Sequence, residues 1–304
     1  MSRVVITGGA GFIGSRAVVK FLEQDYSVDV VDDFSTGDME SLPAHPRLRV
    51  FRHDVSVEEG LEEFVNGADA VVHLAAVSSV PACEKDVKRA FEVNVRGVEN
   101  LAKACSRAGV ERIVFSSTAA VYACGNLLSE TSPTNPVSVY GNTKLVAEEM
   151  LRCLSEQENL CTTVLRIFNV YGRVRPGRGV YGVVDQFIAD ALSKGCLKVF
   201  GDGSQVRDFI HVDDVAEAVF RAVVNAAGGH QVFNIGSGQG ISVADLALLI
   251  QASIPARKIE VINLPARPAD IRYSVADVSK AFKHLGFKPR FNLKTYIEQR
   301  TRGW

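Results

Sequence analysis

The sequence has almost no net charge: 34 lysines and arginines against 35 aspartates and glutamates leave a formal −1. No overall basic field draws it to nucleic acid or to an anionic membrane. No apolar stretch approaches the roughly 20 residues that a membrane helix needs. Met1-Ser2-Arg3 leads straight into an apolar run, without a charged segment and a cleavable apolar one behind it. The six cysteines, at 83, 105, 124, 153, 161 and 196, form no C-x-x-C pair. That spacing argues against a zinc site or a disulfide framework and for free thiols in a reducing cytoplasm. The six histidines also lack metal spacing, and His73 reads as a structural residue at the end of Ala70-Val71-Val72-His73. No metal, repeat, low-complexity tract or long linker is expected.

What is present is ordinary globular composition, 47% hydrophobic and 23% charged over 304 residues, enough for a large core and one or two domains. The organising stretch is Gly8-Gly9-Ala10-Gly11-Phe12-Ile13-Gly14, directly after Val4-Val5-Ile6. It reads as a buried strand, a tight turn and the start of a helix. Glycines at 8, 11 and 14 keep side chains away from backbone N–H groups that can receive a pyrophosphate. A second apolar run, Val28-Asp29-Val30-Val31, ends at Asp32-Asp33, where an acid can bind the adenosine ribose hydroxyls of a dinucleotide. The two acids repel a 2′-phosphate and no arginine follows in Phe34-Ser35-Thr36-Gly37, so NAD is expected over NADP.

Further apolar runs place strands at 3–7, 27–31, 47–51, 69–73, 111–116 and 162–168. Helical patterns fall near 12–24, 57–65, 84–108 and 140–158. Continuously apolar strands separated by helices predict an α/β fold: a doubly wound, Rossmann-type parallel sheet covered on both faces. Ligands then sit beyond the carboxyl ends of the strands. After residue 169 the texture changes. Gly172–Gly182 is rich in glycine and arginine, strands are expected at 209–212 and 232–235, and helices at 182–194, 213–226, 242–252, 277–284 and 293–301. The expected division is a cofactor domain over 1–168, which also receives segments near 206–236, and a smaller interleaved substrate domain over 169–304.

Tyr140-Gly141-Asn142-Thr143-Lys144 puts a tyrosine and a lysine at i and i+4, on one face of a helix. A phenol ordinarily titrates near 10. A neighbouring ammonium favours the phenolate, so the pair can accept a proton from a sugar hydroxyl. An exposed Tyr–Lys pair on a helix face is the plain alternative. Its position after a dinucleotide fingerprint and after Phe115-Ser116-Ser117-Thr118 favours catalysis. One hydroxyl of that serine-threonine loop is placed to meet the reacting oxygen; simple loop capping accounts equally for Ser116 and Ser117.

Taken together, GGAGFIG at 8–14, VDD at 31–33, HDV at 53–55, HLAA at 73–76, Asn94, SSTAAVY at 116–122, YGNTK at 140–144, RIFNVYG at 166–172, GDGSQVRDFIHVDDVA at 201–216 and RPAD at 267–270 resemble the extended short-chain dehydrogenases/reductases. The resemblance spans nearly the whole chain and is greatest to the nucleotide-sugar 4-epimerases related to UDP-galactose 4-epimerase. It implies bound NAD, with Asp32 and Asp33 at the adenosine ribose and Asp54 and Val55 beside the adenine. Phe12, Ile13, Leu74, Ala75, Ala76, Asn94 and Ser116 complete the implied cofactor pocket with the three glycines, Tyr140 and Lys144. Thr118, Tyr140 and Lys144 become the catalytic triad, with Lys144 also on the nicotinamide ribose. Asn169, Arg207 and Arg267 become the residues that hold the substrate diphosphate. Ser274, four beyond Asp270, becomes the residue beside the sugar C2 substituent, with Tyr273 taking its place if the register shifts by one. The implied reaction inverts C4 of a nucleotide-diphosphate hexose through a 4-keto sugar. A homodimer is implied too, built on the helices at 84–108 and 140–158.

Departures from the pattern are Ala123, Ala269 and Ile167, none of which removes a reacting group. Dehydratases and uronate decarboxylases of this fold need an acid after the threonine position, where this chain has Ala119-Ala120. A UDP-glucuronate 4-epimerase is the closer rival, because Arg173, Arg175 and Arg178 form a basic loop suited to a carboxylate. A dinucleotide sensor without catalysis is the other, since fold does not determine function.

Overall fold

Short apolar runs become strands because each alternates with a helix that covers it. The computed structural model describes residues 2–123, 125, 127–158, 160–173, 182–225, 227–266 and 271–302. The first half runs β1 (Arg3–Thr7), α1 (Phe12–Glu23), β2 (Ser27–Asp32), β3 (Leu48–Arg52), α2 (Leu61–Val65), β4 (Ala70–His73), α3 (Val80–Lys85), α4 (Val87–Phe91), α5 (Gly97–Arg107), β5 (Arg112–Thr118), α6 (Val139–Glu158) and β6 (Cys161–Ile167). There follow β7 (Asn169–Tyr171), α7 (Gly182–Lys194), β8 (Cys196–Phe200), β9 (Val206–His211), α8 (Val212–Asn225) and β10 (His230–Ile235). The chain closes with β11 (Gly240–Ser242), α9 (Val243–Ala252), β12 (Glu260–Leu264), β13 (Tyr273–Ser274), α10 (Ser279–Leu285) and α11 (Leu293–Thr301).

Seven strands form one sheet in the order β10-β6-β5-β4-β1-β2-β3, parallel throughout. The order reverses at β1, which opens a crevice beyond the carboxyl ends of β1 and β4. Phe21 and Val18 of α1 and Val219 of α8 cover one face, packed with Phe233 of β10; Leu61, Leu101 and Leu151 of α2, α5 and α6 cover the other. Each such burial contributes roughly 1.5–3 kcal/mol relative to exposure. Lys20 and Glu217, 2.6 Å apart, and Arg16 and Asp213 tie α1 to α8.

The smaller layer has its own core, where Phe187, Leu246 and Ile297 of α7, α9 and α11 meet Tyr171, Leu197 and Phe209. Its strands form a sheet ordered β11-β9-β13 with β7 on β9, and the pair β12-β8. Of the segment 206–236, β9 belongs to this small sheet, while α8 packs on α1 and β10 closes the edge of the large sheet.

The one long helix expected over 84–108 is broken in the structure. It begins earlier, at Val80, where the Ser79 hydroxyl caps it and proline stands in the first turn. It breaks at Asp86, whose carboxylate accepts the Arg89 N–H and starts α4. Glu92–Arg96 then winds as a π-helix, with i→i+5 bonding, before α5 resumes. The short apolar signals of β7, β8, β11, β12 and β13 went unread.

Candidate active site

A cleft of about 660 Å³ lies beyond the carboxyl ends of the large sheet. Its floor is the glycine turn. At Gly8, φ is +68° and an added Cβ would lie 2.5 Å from the Ala75 nitrogen; at Gly14 one would lie 2.1 Å from the Gly8 carbonyl oxygen. Here the glycines are needed by the protein's own backbone, because strand, turn and helix touch. No side chain caps α1 at its Gly11 start.

Asp32 sits at one end, 6% exposed. Its two oxygens accept the N–H groups of Ala10 and Phe34, each at 2.9 Å. Burial raises its pKa, those N–H groups oppose the rise, and the Asp33 charge adds to it. Each oxygen keeps a lone pair for a ribose hydroxyl. Burial would also raise the Asp54 carboxyl, but the Ser56 N–H and O–H and the Arg89 guanidinium hold it below the usual range. Leu74, Ala75 and Ala76 line the middle of the cleft, and Phe12, Ile13, Asp33 and Val55 line it near the turn.

Asn94 is fully buried and does not reach the cleft. Its Oδ1 accepts the Val77 N–H at 2.8 Å, and its Nδ2 donates to the Val77 carbonyl and the Thr143 hydroxyl. Its carboxamide is thus already engaged, and it bears on the pocket through the Val77 backbone. The π-helix is where this residue leaves the helix register to reach both neighbours.

At the other end Thr118, Tyr140 and Lys144 come together. Thr118 neighbours Tyr140 closely enough to lower its phenol pKa, and Lys144 Nζ donates to the Ser116 carbonyl at 2.8 Å, 4.6 Å from the centre of the Phe115 ring. The serines face elsewhere: Ser116 donates to the His73 carbonyl and Ser117 to Glu148. What Ser116 presents to Lys144 is its backbone carbonyl. The electrostatics differ from the sequence expectation of a lysine-lowered tyrosine. Burial pushes Tyr140 up to about 12, opposed by Thr118, while burial pushes Lys144 down to about 7, opposed by Glu148. Desolvation outweighs the neighbours at Tyr140, which holds its phenol above the ordinary value.

Asn169, Arg207 and Ser274 are not among the cleft's lining residues; they stand on the small sheet, with Asn169 between Phe168 and Val170, which do line it. Asn169 pairs with Phe209 and Ser274 with Arg207 in parallel register. Strand alternation then puts all three side chains on one face, and Tyr273 with Val206 on the other. Asn169 Nδ2 donates to the Asp208 carbonyl at 3.0 Å. Arg267, Asp270, Arg175, Arg178 and Cys124 lie outside the described residues; Arg173 is exposed. Among the described residues no group of His, Cys, Asp and Glu is arranged to hold a metal, and no helix is long and apolar enough to cross a membrane.

Residues 4–236 match the NAD dependent epimerase/dehydratase family. The chain belongs to that family. It is 33% identical to the putative UDP-glucose 4-epimerase of Methanocaldococcus jannaschii, over 97% of this chain and 96% of the relative. The structure of Thermotoga maritima UDP-glucose 4-epimerase with UDP-glucose superposes with a TM-score of 0.90 at 34% identity, covering 98% of this chain and 97% of that one. Thermus thermophilus UDP-glucose 4-epimerase in complex with NAD gives 0.88 at 34% identity, over 99% of each chain.

Several residues that shape the site of this epimerase/dehydratase family member escaped the sequence reading. Glu148 follows Lys144 by four on the same face of α6, a spacing that was visible. It takes Arg166 at 2.7 Å in a buried ion pair and also accepts Ser117. Asp208, fully buried, accepts the N–H groups of Ser237, Gly238 and Ala276, which fastens the loops around Arg207. No local pattern marks that role, because its partners come from distant segments. Arg89 is the third such residue.

Proposed function

We propose that this protein is an NAD-dependent isomerase that inverts C4 of a nucleotide-diphosphate hexose of the UDP-glucose/UDP-galactose type. The observation that carries the reading is the Thr118–Tyr140–Lys144 group, with Lys144 buried, at one end of a cleft whose other end presents Asp32 with free lone pairs. The residues fit NAD: the uncapped start of α1 suits the pyrophosphate, Asp32 the adenosine ribose and Lys144 the nicotinamide ribose. When bound, NAD supplies the two-electron acceptor that makes C4 transiently a ketone.

The chain's own groups handle the proton and the positioning. Tyr140 accepts the proton of the 4-hydroxyl and returns it after inversion. The Thr118 hydroxyl, beside Tyr140, shares its charge and orients the sugar oxygen. The Lys144 ammonium stabilises the phenolate through the field of an otherwise water-poor pocket. Arg207 and Asn169 hold the diphosphate, and Arg267 is assigned to the same task. Guanidinium groups suit it because their directed donors match phosphate oxygens. Held at the diphosphate, the keto sugar turns its other face to the same reactive groups, so one set of residues serves both halves of the reaction. Ser274, 5% exposed beside Arg207, leaves room at the C2 substituent.

In this reading residues 1–168, with α8 and β10, form the cofactor domain and the rest the substrate domain. The protein works in the cytoplasm as a homodimer. Val80, Val87, Phe91 and Val146 support the dimer, being 40%, 45%, 41% and 45% exposed on α3, α4 and α6. The test is incubation with a panel of UDP-, dTDP- and GDP-sugars, including UDP-glucuronate, followed by separation of C4 epimers. Interconversion of UDP-glucose and UDP-galactose is expected. Epimerisation of UDP-glucuronate alone would change the substrate, and no turnover of any sugar would overturn the enzyme reading.

A further inference from the structure

The adenosine end of the cleft is crowded with negative charge. Asp32, Asp33 and Asp54 all line it. A dinucleotide adds an anionic diphosphate nearby. Among the described lining residues the cations are Arg89 and Lys144, and Lys144 lies at the catalytic end. Arg89 comes from α4, far in sequence from the glycine turn and from β2. Its guanidinium donates to Asp54 at 2.6 Å and to the Ser56 hydroxyl at 3.0 Å, and lies 3.8 Å from Asp33. Its backbone is fixed as well, since its N–H is bonded to the Asp86 carboxylate at 2.9 Å.

Two consequences follow from chemistry. A planar guanidinium held at the wall of an adenine pocket offers both a compensating charge and a face on which an aromatic base can stack. The same group is the natural receptor for a 2′-phosphate, whose place in a dinucleotide fold is beside the acid at the end of β2. Here it is already paired with carboxylates. Resting on the NAD reading above, we infer that Arg89 is the residue that retains the adenosine half of the cofactor, and that its pairing with Asp54 and Asp33 withholds it from the 2′-phosphate of NADP. NADP exclusion is then a property of the Asp33–Arg89–Asp54 group rather than of missing arginines.

The experiment uses purified wild type, Arg89→Ala, Arg89→Gln, Asp33→Asn and the double variant Asp33→Asn/Arg89→Gln. Nucleotide released on denaturation is identified, and NAD and NADP are titrated calorimetrically into nucleotide-free protein. Both Arg89 variants are expected to bind NAD about fivefold more weakly, the size of a lost cation–aromatic contact at a guanidinium that is 35% exposed. Asp33→Asn is expected to gain NADP affinity, and the double variant to lose that gain. Arg89→Gln keeps most of the side-chain stem and decides the matter if the alanine variant folds poorly. NAD affinities within twofold of wild type would overturn the retention role. An NADP gain that survives loss of Arg89 would overturn the withholding role. A wild type that neither carries nor binds either nucleotide would instead overturn the NAD reading on which the inference stands.

Discussion

Glu148→Gln tests how Lys144, assigned above to the reaction, is held. The Glu148 and Arg166 side chains are 3% and 8% exposed, and the guanidinium donates to the carboxylate from Nε and from the terminal nitrogen. Arg166 also stacks 4.8 Å from the centre of the Tyr122 ring. Glutamine preserves the shape but leaves a buried guanidinium without its counter-charge, a loss of about 3–5 kcal/mol. At about 2 °C per kcal/mol for a chain of this length, the melting temperature should fall by roughly 6–10 °C. Lys144 responds too. Burial holds it at about 7, below its ordinary 10.5, and Glu148 pushes it back up. The unfolded chain therefore binds more protons than the folded one between those values. The penalty of the buried ammonium is full below about 7 and is relieved as pH rises towards 10.5, so this group makes stability increase with pH. Without Glu148 the lower end of that window moves down, and the loss of activity on deprotonating Lys144 should move to lower pH. Thermal unfolding by circular dichroism and the pH profile of kcat measure both effects. Arg152→Ala on the same helix is the control, because Arg152 is 45% exposed and such pairs contribute at most about 1 kcal/mol. A Glu148→Gln protein that melts within about 2 °C of wild type, with its alkaline limb unmoved, would refute the reasoning.

Tyr140→Phe should lower kcat by about 10²–10⁴-fold through loss of the proton acceptor, while NAD content and melting temperature stay close to wild type. Near-normal epimerisation by that variant would remove Tyr140 from the mechanism. Wild type should accept UDP-N-acetylglucosamine as well as UDP-glucose, and Ser274→Tyr should discriminate against the acetylated sugar, since overpacking a closed site costs about 1–3 kcal/mol. Competing the two substrates in one reaction reads the ratio directly; an unchanged ratio would show that Ser274 is not the gate.

The large sheet was legible because its signals are local. Val4–Ile6 and Ala70–Val72 are apolar without interruption and Val28–Val31 is broken only by Asp29, as suits buried parallel strands. The proposed catalytic group was legible for a similar reason: Tyr140 and Lys144 are one helical turn apart, and Thr118 ends a strand. The small sheet was harder. β11 and β13 are three and two residues long. Such strands exist only because β9 supplies hydrogen-bond partners, and nothing in their own composition demands that conformation.

Sequence by itself determined the fold class, the glycine turn and the placing of Tyr140 and Lys144 one helical turn apart, because periodicity and short spacings set them within one or two helical turns. Tertiary structure alone decided their electrical state and their supports. Burial depends on what the whole chain packs over a residue, and that is why Tyr140 is raised and Lys144 lowered where adjacent spacing suggested only mutual help. It also decided that Asn94 grips a loop, that Arg166 of β6 reaches Glu148 on α6, and that an arginine near Asp33 arrives from a helix more than fifty residues away. Those partners are distant in sequence, so only the folded path of the chain brings their charges and donors within reach.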